Sequence, residues 1–264
     1  MLNRMLHRIG SKKGLASDYL ALFPKHRIYI EPFFGAGGIF FQKPLSNHNF
    51  LNDIDEDVYN LFSVIKDENK REKFEKLFEI MPVHTRLFYE YKNSKGSDFN
   101  EIERAVRFVF LSNLSFMGAM DTMKIEPTNF KHMFKKDIPR IFNMLKDATF
   151  TCYHVGELFK KMHHRCFKDT FVYCDPPYLN TENNYKSCED WAVWQEKDLR
   201  ELFENLLKTG AKFGVSEFLT PTSLQIAEDF GLNVINVLAK RNLNSENRAT
   251  EIFICNYKPN LTLF

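Results

Sequence analysis

Short apolar runs alternate along this chain with longer stretches of helical spacing, and the rhythm changes twice. Arg27-Ile28-Tyr29-Ile30 is β-branched and aromatic and reads as a strand. A second short strand, Phe50-Leu51-Asn52, precedes a helix from about Glu56 to Lys66. From Glu68 to about Lys146 the strand signal disappears. Lys, Glu, Phe and Leu recur there at helical spacing and predict helices over 70–80, 84–93, 100–113 and 136–146. Between the last two lies an irregular piece, Asn113 to Lys135. Irregular stretches of that length inside a domain are usually functional or disordered. The first rhythm then resumes. Strands are predicted at Ala148–Tyr153, Phe171–Cys174, Ala211–Val215, Leu232–Val237 and Glu251–Tyr257. Helices are predicted at 156–162, 196–208 and 221–230.

Strands alternating with helices predict an α/β fold, a mainly parallel sheet with helices on both faces. Residues 68–146 form a mostly helical insertion, and 1–67 with 147–264 make the domain that receives it. In such sheets ligands bind beyond the carboxyl ends of strands. Three features fall on that rim. Glu31-Pro32-Phe33-Phe34-Gly35-Ala36-Gly37-Gly38 follows the first strand, with a helix expected from Ile39. Its glycines let backbone approach a ligand without Cβ clashes. Asp53 ends the second strand, where nucleotide-binding units hold ribose hydroxyls. Asp55 is placed to cap the following helix.

The third feature is Asp175-Pro176-Pro177-Tyr178, directly after the apolar run Phe171–Cys174. Proline fixes its own φ and pushes the preceding residue towards extended backbone. The Asp175 carboxylate and the Pro176 carbonyl thus become a rigid pair of acceptors beside the aromatic face of Tyr178. That arrangement suits a flat ring carrying an exocyclic amine.

Composition narrows the classes. A 44% hydrophobic content is that of a soluble globular protein, and 27 phenylalanines fill a core more readily than a cofactor cage. No apolar run reaches the roughly 18 residues of a membrane span, and the polar, basic start at 1–13 has no leader-like stretch, so a cytoplasmic protein without membrane partners is expected. The five cysteines show no CxxC pair and fit a reducing compartment. His163-His164-Arg165-Cys166 is too crowded for a structural zinc site, so no metal is expected. Net charge is only +2, but residues 1–27 carry six basic residues against Asp18, a net of +5, and 124–146 carry a net of +4. Placed on one side of a cleft, these runs would bind phosphates.

In this order, the motifs resemble the Dam-like DNA adenine-N6 methyltransferases, the alpha group with the DPPY motif. Ile9-Gly10-Ser11-Lys12 is similar to that family's opening cofactor motif, with Arg8 where an aromatic is usual. Glu31-Pro32-Phe33-Phe34-Gly35-Ala36-Gly37 is similar to its glycine motif, Asn52-Asp53-Ile54 to its ribose-binding acid, and Cys174-Asp175-Pro176-Pro177-Tyr178 to its catalytic motif. Gly214-Val215-Ser216 and Glu251-Ile252-Phe253 resemble further family segments.

The resemblance implies a Rossmann-like methyltransferase sheet, with 68–146 as an inserted target-recognition domain. It implies S-adenosylmethionine as methyl donor and a flipped-out adenine in double-stranded DNA as acceptor. It assigns catalysis to Asp175, Pro176, Pro177 and Tyr178. Cofactor binding falls to Gly10, Ser11, Lys12, Glu31, Pro32, Phe34, Gly35, Ala36, Gly37, Asp53, Ile54 and Asp175. It also suggests a modification system, with a cognate restriction endonuclease as partner. Leu114–Met120 does not reproduce the Arg- and Tyr-rich hairpin of the GATC methylators, so the resemblance carries no target sequence over to this chain. The loop Leu179–Asp190 is expected to close over the base, and Glu157 either contacts the cofactor's adenine or simply starts a helix. Two rival readings are the same chemistry on adenine in RNA and a silent module that binds cofactor and DNA.

Overall fold

All seven predicted strands are found in the computed structural model, which describes residues 6, 12–126, 129–162, 167–179, 194–237 and 250–259. They are β1 (Ile28–Glu31), β2 (His48–Asn52), β3 (Thr149–Thr151), β4 (Thr170–Cys174), β5 (Lys212–Phe218), β6 (Asn233–Asn236) and β7 (Glu251–Cys255). They form one sheet in the order β3-β2-β1-β4-β5-β7-β6. Every pairing is parallel except those of β7, which runs antiparallel to β5 and β6. The chain builds outward from β1 to β3 and then returns to add β4 on the other side of β1. The strand order therefore reverses between β1 and β4, where open α/β sheets bind ligands.

Alternation along the central strands separates two cores. In β4, Phe171 and Tyr173 enter one cluster, while Val172 and Cys174 enter the other. In β7, Phe253 and Cys255 divide from Ile252 and Ile254 in the same way. This is the period-two geometry of a strand buried on both faces. Gly214 on β5 is part of the fit, because a Cβ there would lie 1.9 Å from the Phe253 ring.

The first face carries α1 (Ala16–Leu22) and α2 (Glu56–Lys66), and the second carries α7 (Val155–Lys161), α8 (Glu196–Thr209) and α9 (Pro221–Asp229). Asp55 caps α2, accepting from the Asp57 amide at 2.9 Å. Residues 68–146 form α3 (Glu68–Ile80), α4 (Thr85–Asn93), α5 (Glu101–Leu114) and α6 (Phe130–Leu145). Their apolar stripes continue the first core rather than closing one of their own. α5 is buried from Ala105 to Leu114 and packs along α2.

Three local expectations are corrected. The helix expected at Ile39 is a single 3-10 turn, Phe40–Gln42, because Pro44 forces Lys43 into extended backbone. α6 starts at Phe130, well before position 136, since Phe130, Phe134, Ile138, Ile141 and Leu145 already share one buried stripe. The irregular piece is correspondingly shorter. It opens as a small hairpin in which Ser115 and Met123 bridge, Phe116 donates to Thr122 and Lys124 donates to Leu114. Among the described residues, no helix is long and apolar enough to cross a membrane.

Candidate active site

The glycine turn leaves β1 and is pinned to the end of β2. Phe34 donates its amide to the Asn52 carbonyl at 2.9 Å, and the Asn52 side chain donates to the Pro32 carbonyl at 3.0 Å. Asn52 also donates to the Tyr153 carbonyl at 2.9 Å and accepts its amide at the same distance, so the ends of β1, β2 and β3 share one side chain. Asp53 lies just beyond. One of its oxygens accepts the Gly35 amide at 2.5 Å and the other the Asp55 amide at 2.9 Å.

Gly35 and Gly37 both have positive φ, 52° and 67°, the left-handed region that favours glycine. They differ in surroundings. A Cβ on Gly37 would lie 2.4 Å from the Phe41 ring, whereas one on Gly35 would meet nothing within 4 Å. Gly37 is thus a packing glycine and Gly35 an open one. Phe34 points into the core against Phe40, Phe41, Phe62 and Phe150. Glu31 is buried and accepts from the Tyr29 hydroxyl at 2.8 Å. Pro32 is buried, and Ala36 and Ile54 are half-buried beside the turn.

Beyond β4, Asp175 forms an ion pair with Lys12, Nζ to Oδ1 at 2.9 Å. The same ammonium lies 4.6 Å from the centre of the Tyr178 ring. Lys12 is only 4% exposed although it belongs to a basic run. Tyr178 is buried, meets Phe218 edge to face at 4.4 Å, and donates its hydroxyl to Glu251 at 3.3 Å. The next residue, Leu179, donates its amide to the buried Glu217 carboxylate. Pro176 is buried and Pro177 half-buried. The segment Asp175 to Leu179 is therefore fastened to β5 and β7 on its far side.

Acidic groups dominate this rim. Burial pushes the Asp175 carboxyl up, and Lys12 pulls it back. Burial raises Glu31 to about 8 and Glu217 to about 7. It lowers Lys43, whose ammonium lies over the Tyr29 ring, to about 8. Burial also drives the Cys174 thiol upward, which makes it a poor nucleophile.

Lys12, Asp175 and Tyr178 meet at one point, and Gly35 and Asp53 at another. The ends of β1 and β4, adjacent strands, join the two. Gly10 and Ser11 lie outside the described residues, as do all but Leu179 of the loop 179–190 and His163–Cys166. Glu157 is exposed in the first turn of α7 and pairs with Lys161. Sequence reasoning missed Tyr19, Glu217, Phe218 and Glu251 as neighbours of the site. The family-like segments ending at Ser216 and starting at Glu251 were the available signal.

A sequence model of the D12 class of N6 adenine-specific DNA methyltransferases matches residues 9–243. A DNA adenine methylase of Haemophilus influenzae is 28% identical over 214 residues, 75% of this chain and 73% of that protein. The DNA adenine methylase of Vibrio cholerae is 24% identical and covers 92% of each chain. A Type II methyltransferase of Methanocaldococcus jannaschii is 27% identical over 94% of this chain and 96% of its own length.

Proposed function

We propose how transfer proceeds in this chain, which belongs to the D12 class of N6 adenine-specific DNA methyltransferases. The enzyme methylates the N6 amine of adenine in DNA, and the family implies S-adenosylmethionine as donor. When bound, that cofactor supplies an electrophilic methyl group on a cationic sulfonium. The rim fits it: Gly35 is open on its Cβ side, and Asp53 stands at the end of β2. Gly35, Asp53 and the backbone of Pro32 to Gly37 would hold it.

The observation that carries the acceptor assignment is the Lys12–Asp175 ion pair. An ammonium already occupies the Asp175 oxygen and covers Tyr178. A nitrogen donor therefore fits where the N6 amine must sit, with an aromatic ring against it. Asp175 and the Pro176 carbonyl would accept hydrogen bonds from the two N6 hydrogens, which favours a tetrahedral nitrogen with its lone pair free for in-line attack. As the new N–C bond forms, the donor's S–C bond would break to leave a neutral thioether, and the surplus N6 proton would leave through the Asp175 carboxylate. Positioning then supplies most of the acceleration, and the Asp175 charge offsets the positive charge that grows on N6. No covalent intermediate with the protein is needed. Lys12 must yield its place on Asp175 as the base enters.

The base has to leave the duplex, at a cost of a few kcal/mol. Stacking on Tyr178 returns roughly 1–3 kcal/mol. Residues 68–146 serve as the target-recognition segment, with the hairpin closed by Ser115 and Met123 as its reading element. The Type II relative supports a place in a modification system with a paired restriction endonuclease.

The test is methyl transfer from tritiated S-adenosylmethionine to DNA, followed by digestion and identification of the labelled nucleoside. N6-methyldeoxyadenosine is expected. Asp175→Ala should lose about a hundredfold or more in kcat with the fold intact. Turnover unchanged by that substitution would end this mechanism.

A further inference from the structure

Phe218 packs against the Tyr178 ring, Lys12 lies over its face and Glu251 accepts from its hydroxyl. The Lys12 contact is temporary in the reading proposed above, on which this inference rests. A base cannot stack where an ammonium sits. Once Lys12 withdraws, Phe218 against the ring and Glu251 at the hydroxyl still bear on its tilt, beside the Asp175 carboxylate.

Glu251 is well built for that task. It opens β7, where it lies in register opposite Phe218 of β5. Its carbonyl accepts the Val237 amide at 3.0 Å, so backbone bonds tie it on the other side as well. Its carboxylate is fixed in turn by a second tyrosine, because the Tyr19 hydroxyl donates to the same oxygen at 2.6 Å. One oxygen thus collects two hydroxyls from distant parts of the chain. The short Tyr19 bond anchors the carboxylate, and the longer Tyr178 bond uses that anchor. Tyr19 is fully buried, with its ring near Tyr173 and Phe253, and so cannot drift.

We infer that Glu251 is a positioning residue for methyl transfer, which orients the aromatic wall of the acceptor site through the Tyr178 hydroxyl. A purely structural glutamate would affect stability and cofactor binding. A positioning one acts on kcat and only while the tyrosine hydroxyl is present.

The experiment is a double-mutant cycle on the full chain, with kcat and the KM for S-adenosylmethionine read on DNA. Glu251→Leu and Tyr178→Phe should each lower kcat by about tenfold with KM little changed, and together no further. Glu251→Gln keeps an acceptor and should restore most of the rate. Additive losses, or a Glu251→Gln variant as slow as Glu251→Leu, would overturn the inference. If Glu251→Leu does not fold, Tyr178→Phe still decides, since unchanged turnover in that variant removes the role. Loss in Asp175→Ala without loss in Tyr178→Phe would sink this inference alone. Full turnover in Asp175→Ala would sink the acceptor reading itself.

Discussion

Among single residues, Lys12 is the one whose two roles conflict. As a counterion it opposes the upward push of burial on the half-buried Asp175, and in the mechanism proposed above it is also a plug on the oxygen the amine needs. Burial is the largest influence on Asp175 and pushes its carboxyl up. Glu251 adds to that push, while Lys12 and the Tyr178 hydroxyl oppose it. Removing the ammonium therefore raises the Asp175 carboxyl further, so at a given mildly acidic pH fewer molecules carry the carboxylate. In Lys12→Met the acid limb of kcat/KM for DNA against pH, which reports the free enzyme, should move to higher pH, as followed by methyl incorporation. An acid limb that stays put or moves lower would show that Lys12 does not tune Asp175.

At the level of elements, the glycine turn separates packing from binding within three residues. Both glycines have positive φ, so alanine at either strains the backbone by on the order of 1–2 kcal/mol. Only Gly37→Ala also drives a methyl into Phe41 and Phe34. It should lower the urea midpoint clearly more than Gly35→Ala. Gly35→Ala should instead weaken cofactor binding in calorimetry, because its methyl points into the open side of the turn. The reverse ranking would mean that the cofactor does not approach Gly35. Much of this element was legible in sequence: β1, the turn and Asp53 follow from β-branched runs, glycine and an acid at a strand end. The helix expected after Gly38 was not, since Pro44 and the packing of Phe40 and Phe41 cut it to one turn. The neighbours of Tyr178 were illegible for another reason. Tyr19 and Glu251 are 232 residues apart, and only the sheet order brings β7 beside β5. Several cations of the basic run at 124–146 have partners within the chain. Lys124 and Lys135 already pair with Glu126 and Glu79, Lys131 bonds the carbonyls of Glu79 and Met81, and Arg140 bonds Phe41.

For the whole molecule, the relation of residues 68–146 to the sheet decides how the protein unfolds. One apolar cluster runs from Tyr29, Leu51 and Phe171 on the sheet through Leu61, Phe62 and Ile65 of α2. It continues into Phe74, Phe88, Phe108, Phe110 and Phe134 of the inserted helices. Asp57 adds polar ties by pairing with Arg104 at 2.5 Å and Arg107 at 3.7 Å, which links the start of α2 to α5. Loss of the inserted helices would bare the α2 face. At about 1.5–3 kcal/mol for each large apolar side chain, a few such residues equal the 5–15 kcal/mol stability of a typical domain. The two parts should therefore melt together. Both tryptophans, Trp191 and Trp194, lie outside 68–146, so fluorescence reports the sheet-bearing part. Far-UV circular dichroism is weighted by helices, and α3 to α6 supply a large share of them. The two signals should trace one urea transition with a common midpoint. A helical signal lost at lower urea than the tryptophan signal would show that the inserted helices hold a core of their own.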